Sequence, residues 1–216
     1  MKARWLFCCV LAGIGQACVP DQRTAAAPQT PVPREAAAEA GQANSPGGID
    51  WIRKRYARIG EMEAAGLLRC DSLAYQCQNE PINGLFTYCY AGDDLVRATH
   101  GRSIGDHSFT TEEYYFDGAE MYFAHLREGG WQFAHPPGAT GEETVSHTRD
   151  KVREERKYYA DGNLIDRLFK SYELVSWEDR KPEDFPNAQE GEPIEDVLGP
   201  ERTLAQRGAA HYACPE

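Results

Sequence analysis

Seven cysteines and six histidines are the residues of this chain best equipped for chemistry, and their spacing decides which chemistry that is. Cys8 and Cys9 lie in a short apolar run near the start, and Cys18 closes that run. Cys70, Cys77, Cys89 and Cys214 are spread over the rest. The step from Cys70 to Cys77 is not the Cys-x-x-Cys spacing of zinc knuckles, so no metal site is expected. An even set of distal thiols points to two disulfides if the chain is exported. Three pairings are possible. The favoured one joins Cys70 to Cys77 in a local loop, with Cys89–Cys214 tying the tail to the first strand. The histidines are His100, His107, His125, His135, His147 and His211, and none falls in a His-x-x-x-His or His-Glu-x-x-His unit. No Gly-x-Ser-x-Gly elbow or phosphate-cradling loop is present. A histidine beside a carboxylate can be an acid–base pair. His100 and His107 flank a loop with Asp106, and His125 falls on a strand whose partner carries Glu112 and Glu113. On strands and loops such pairs are more often surface contacts. Glu142-Glu143 and Glu154-Glu155 are adjacent acids, which a strand sends to opposite faces. No catalytic residue, cofactor or metal is expected, and the chain does not read as an enzyme.

The compartment comes from the start of the chain. Lys2 and Arg4 precede an apolar run from Trp5 to Ile14, and Gly15 and Ala17 lead into Cys18. That pattern is an export signal with a thiol at the cleavage point. The run is shorter than the roughly 20 apolar residues of a membrane-spanning helix. The segment Gly15-Gln16-Ala17-Cys18 resembles the lipobox of bacterial lipoproteins. Ala17 and Cys18 match that motif, and Gly15 stands where Leu or Val is usual. The resemblance implies cleavage before Cys18, acylation of its thiol and new amine, and a lipid bilayer as partner. Val19, which gives no retention signal, implies the outer membrane, facing the periplasm. The alternative is a freely secreted or periplasmic protein cut at an ordinary small-x-small site.

Residues 1–17 are thus expected to leave as a signal peptide, and 18–48, rich in Ala, Pro, Gln and Gly, to form a disordered tether. A folded domain is expected over 49–178 and an acidic, proline-bearing tail over 179–216. Removal of residues 1–17 takes away Lys2 and Arg4 and no acid, so the formal charge of −11 becomes −13. Such acidity disfavours nucleic acid and suits a basic protein partner.

The elements that must position these residues follow from periodicity. Ile49, Ile52, Tyr56, Ile59 and Met62 form one helical stripe. Arg53, Lys54, Arg55 and Arg58 lie mostly off it, as a solvated basic face. From Tyr88 the pattern alternates. Three segments place aromatics before a tight turn at Gly92-Asp93, Asp117-Gly118 and Asp161-Gly162, and then an apolar pair. Asp-Gly between β-prone runs marks a hairpin. The expected fold is α+β, with the N-terminal helix packed on a twisted antiparallel meander of about six strands. Tyr114 and Phe116 should share one sheet face, and Glu113 and Tyr115 the other. A short helix is expected from about Pro200 to Arg207.

The hairpins resemble MORN-like repeats, carried by Tyr158, Tyr159, Gly162 and Leu164, although the glycines at 92, 118 and 162 hold no fixed period. The Ile-rich helix followed by YY-x-x-G-x-L hairpins over residues 49–172 resembles a diffuse group of small exported bacterial proteins. That resemblance implies fold and export and brings no catalytic residue. Tyr88-x-Tyr90 with Cys89 faintly resembles the membrane-bound inhibitors of C-type lysozymes, but their Ser-Gly-x-Arg-Tyr loop is absent. Function is accordingly expected to be a non-enzymatic binding or accessory role in the cell envelope. Alternatives are inhibition of a basic enzyme such as a lysozyme, and peptide or glycan binding on a surface formed by Tyr115, Tyr122 and Trp131 together with Trp177.

Overall fold

The computed structural model describes residues 47–139, 147–212 and 214. The signal, Cys18, the tether up to residue 46 and Glu142-Glu143 lie outside the described residues.

A helix, α1 (Ile49–Ala64), precedes a seven-stranded antiparallel sheet. The strands are β1 (Arg69–Gln76), β2 (Ile82–Ala91), β3 (Asp94–Ile104), β4 (Ser108–Asp117), β5 (Glu120–Phe133), β6 (Thr148–Ala160) and β7 (Asn163–Val175). Spatial order follows chain order throughout, so the sheet is a pure meander. The tail adds a short 3₁₀ turn at Pro182–Asp184 and a second helix, α2 (Gly199–Ala205), near the expected position.

The strand beyond the expected six is β1. The same segment corrects the cysteine pairing. Read as a loop, Arg69–Gln76 would let Cys70 meet Cys77. As a strand, it separates residues seven apart by roughly 23 Å, far beyond the roughly 7 Å Cα limit of a disulfide. The register sets Cys70 directly opposite Cys89 instead. The bonds are Cys70–Cys89 and Cys77–Cys214, the latter joining residues 137 apart in sequence.

The three aromatic segments are hairpin ends with a common construction. Each has a two-residue loop, and each shows a register shift just before it, at Cys89/Tyr90, Tyr115/Phe116 and Tyr158/Tyr159. Alternation sends consecutive residues to the two cores, and the bulge adds local twist beside the turn. Tyr115 packs with the helix on one sheet face and Phe116 packs on the other. Tyr158 and Tyr159 divide in the same way. At Asp161-Gly162 both residues have positive φ, 50° and 73°, which is the type I′ pattern. At the other two loops only the glycine does, Gly92 at 63° and Gly118 at 61°. Gly118-Ala119 is therefore the central pair of the second turn, a II′ pattern, and Asp117 ends the strand.

Each face of the sheet has its own cover. On the first, Ile52 and Ile59 of α1 pack on Val96, Tyr115, Tyr122, Phe123, Tyr158 and Leu168. Arg97 on β3 pins the end of α1 through two contacts to Glu63, of 2.7 and 2.5 Å. On the second face, Phe86, Tyr88, Ala98, Tyr114, Phe116 and Leu126 form the larger core, covered by Ile194, Leu198, Leu204 and Tyr212 of the tail. The tail therefore works as a strap. Its first part meets β7 on the helix side, where Phe185 stacks on Tyr172 and Lys170 donates to the Pro182 carbonyl. It then pairs with the outer edge of β7 through Ala188 and Phe169. From there it crosses the second face and is fastened to the end of β1 by Cys77–Cys214. No helix among the described residues is long and apolar enough to cross a membrane.

Candidate functional site

Alternation along β4 sends Glu112 and Glu113 to opposite faces, so His125 does not meet both. Glu112 joins His100 under the strap. The two side chains are almost fully buried, with His100 Nδ1 3.2 Å from Glu112 Oε2. Tyr75 bonds the other ring nitrogen at 2.8 Å. Glu112 Oε1 accepts the backbone N–H groups of Val197 and Leu198, which belong to the strap. Glu155 does the same one step along, accepting from Ile194 N–H at 2.8 Å. Tyr88 donates to the Thr203 carbonyl at 2.6 Å. A buried carboxylate is costly unless fully bonded, and here the strap's amides supply the bonds. Tyr75, His100 and Glu112 line up like a catalytic relay, but the strap lies over them. Glu112 holds it through those two amides.

The other face carries an open site. His125 on β5 lies between two carboxylates. Its Nδ1 is 3.7 Å from Glu113 and its Nε2 is 3.4 Å from Glu154. Burial would pull the imidazole's pKa down, and the two carboxylates outweigh it and raise it above 6.5. Burial likewise pushes Glu154 up. Bonds from His125 and from Tyr172, the latter at 2.8 Å, reverse that and hold its pKa near about 2. Glu113 is lowered in the same way, by His125, Arg127 and Tyr115 against burial. Arg156 adds a 2.9 Å contact to Glu154. A carboxylate near each nitrogen favours the protonated imidazole.

Above this group a cleft of about 270 Å³ opens between α1 and the sheet. Ile52, Arg53 and Tyr56 of the helix form one wall, and Phe123, His125, Arg156 and Tyr158 form the other. The wall is aromatic and apolar with three cationic groups. The acids that compensate them, Glu113, Glu154 and Asp50, are not among the lining residues.

The structure separates the three aromatics grouped from the sequence as a binding surface. Tyr115 and Tyr122 are buried beneath α1. Trp131 lies toward the far end of β5, stacked on His107 and edge-on to Phe133, with its indole N–H donating to the Asp106 carbonyl. Trp177 packs edge-on to His147. The alternation already carried part of this, because it put Tyr115 on the face that α1 must cover. The cleft had no sequence signal, since its residues come from three elements whose relative placement periodicity does not give.

Of the cysteines, Cys70, Cys77, Cys89 and Cys214 are all bonded. Three of the four basic residues of α1 pair with acids of the same domain: Arg53 with Asp50, Arg55 with Asp117 and Arg58 with Glu61. Among the described residues no three His, Cys, Asp or Glu side chains gather as a metal-binding set. Comparison of the chain with protein-family models, with curated proteins and with solved structures finds no significant match.

Proposed function

We propose that this protein is an exported, lipid-anchored binding protein of the cell envelope, acylated on Cys18, with a non-enzymatic role. The observation that carries the reading is the pair of disulfides, Cys70–Cys89 and Cys77–Cys214. Bonds of this kind form and persist in oxidising compartments. Their presence agrees with the leader-like Trp5 to Ala17 segment and the thiol that follows it. Residues 19–48 supply a tether between the anchor and the folded part.

Inhibition of a basic enzyme such as a lysozyme is the second reading. It is favoured by the exposed acids of the strap, Glu183, Glu190, Glu195 and Glu201 among them. A basic protein captured from envelope extract at low salt and released at high salt would support it.

The deciding experiment is the intact mass of the protein taken from its native membrane, with and without reduction. The expected mass lacks residues 1–17, carries acyl groups at Cys18 and rises by four hydrogens on reduction. Full-length protein with Met1 retained and every thiol free would overturn the proposal.

A further inference from the structure

We infer that the cleft between α1 and the β5–β6 pair binds a small organic carboxylate carried on an aromatic or branched apolar body. This names a ligand class for the binding role proposed above and rests on that role only for its purpose. The site itself is independent of the anchor.

The charge distribution is the first argument. The chain is strongly acidic, with a formal charge of −11, yet this cleft is lined by no carboxylate and by three basic residues, Arg53, His125 and Arg156. The acids that balance them are already engaged. Glu154 takes His125, Arg156 and the Tyr172 hydroxyl, and Glu113 takes His125 and the Tyr115 hydroxyl. The arginines are not saturated in return. Among the described residues Arg53 has one acid partner, Asp50 at 3.6 Å, its guanidinium lies 6.0 Å from the centre of the Tyr158 ring, and more than half its side chain is exposed. Arg156 spends one terminal nitrogen on Glu154 and has Asn187 at 3.4 Å on the other. A guanidinium has five N–H donors in a planar fork suited to a carboxylate, so donors remain free at the mouth of the cleft.

Shape is the second argument. Tyr56, Phe123 and Tyr158 pack obliquely or edge-on around Ile52, Tyr56 at 5.2 Å and Tyr158 at 5.1 Å from the Phe123 ring. Pockets for small ligands are mostly apolar with a few convergent polar groups. A volume of about 270 Å³ suits a single ring with a short acid chain. A neutral ligand would leave the cationic rim unanswered, and a cationic one would be repelled by it.

The test is titration calorimetry of the full chain with both disulfides formed, at low ionic strength. The probes are 3-phenylpropionate, its neutral amide, and a tetrapeptide ending in phenylalanine. The expected result is single-site binding of the acid, with the amide weaker by about tenfold or more. Arg53→Gln and Arg156→Gln should each weaken the acid and leave the amide unchanged. Arg53 is exposed, so that variant stays informative if Arg156→Gln folds poorly. A peptide that competes as well as the free acid makes the natural ligand a protein C-terminus, and one that does not makes it a free metabolite. Equal binding of acid and amide, binding of neither, or unchanged affinity in Arg53→Gln would overturn the inference. None of these results alters the expected membrane mass, so the two proposals fail separately.

Discussion

At His125 the imidazole and its two carboxylates stabilise one another through opposite charge, and pH reveals this. The histidine's pKa is raised above 6.5, so its contribution is complete below that value and is lost as pH rises through the higher folded value. Glu154, lowered from 4.5 to about 2, contributes above 4.5 and loses its contribution as pH falls toward 2. His125→Gln should therefore cost most stability between those limits. Urea midpoints of wild type and variant should differ clearly at about pH 5.5, and the gap should narrow as pH rises through the histidine's raised pKa. A gap that widens with alkalinity would contradict the ion-pair account. On the opposite face, Glu112→Ala removes the acceptor of two strap amides and the carboxylate beside His100. The expected loss is about 2–4 kcal/mol in urea unfolding. A loss under about 0.5 kcal/mol would mean that the strap does not depend on this residue. Glu112 was within reach of sequence reasoning. Alternation puts it on the face of Tyr114 and Phe116, where a charge must find partners. What the sequence could not supply was the partner, because Val197 and Leu198 offer only backbone and lie 85 and 86 residues away.

At the level of elements, the hairpins were the most legible feature. Gly92, Gly118 and Gly162 all occupy the left-handed backbone that a two-residue loop needs, and the aromatics before them supply rings to both cores. The helix was legible too, because Ile52 and Ile59 recur at helical spacing and are the residues that α1 buries. Strand β1 was not. Most of its residues are exposed, with only Leu73 and Tyr75 turned partly inward, so its alternation is faint. Missing it made the local Cys70–Cys77 loop attractive and misassigned both bonds. The strap was equally hidden, since its contacts are made by amides and isolated apolar residues with no period. Its dependence on the distal disulfide is testable. In the loop-entropy model Cys77–Cys214 contributes about 5 kcal/mol. Cys77→Ser with Cys214→Ser should lower stability by up to that amount and open the strap near Pro186 to Pro200 to proteolysis. Unchanged protease resistance would show that the buried carboxylates alone suffice to hold it.

The whole molecule is a thin sheet that becomes stable only when covered on both sides, since a lone sheet leaves apolar surface wet. Its covers come from the two ends of the described chain: α1 precedes all seven strands and the strap follows them. The cover at the helix side is partial, and the cleft lies where α1 leaves the β5–β6 rows open. A molecule built in this way presents its open cleft beside the N-terminal helix, the end that leads back toward residues 19–48. If those residues are the tether proposed above, the open face is held nearer the bilayer than the strap. The prediction at this scale is topographic. With the protein on its native membrane, bulky reagents should modify Lys151, exposed on the strap-covered face, more readily than Lys54 on α1, and detergent release should equalise them. Equal rates before release would argue against the orientation.

The order in which the thiols are synthesised imposes a last demand. Cys70, Cys77 and Cys89 emerge close together, and Cys214 follows only after the rest of the described chain. Strand pairing brings Cys70 and Cys89 face to face early, which leaves Cys77 waiting as a solitary, oxidisable thiol until Cys214 arrives. Maturation therefore has a vulnerable interval, in which capture by a second polypeptide or shuffling into the neighbouring bridge competes with arrival of the final residues. An isomerase-deficient host should accumulate mixed-disulfide species of the wild type, and replacing Cys77 together with its partner Cys214 should remove them.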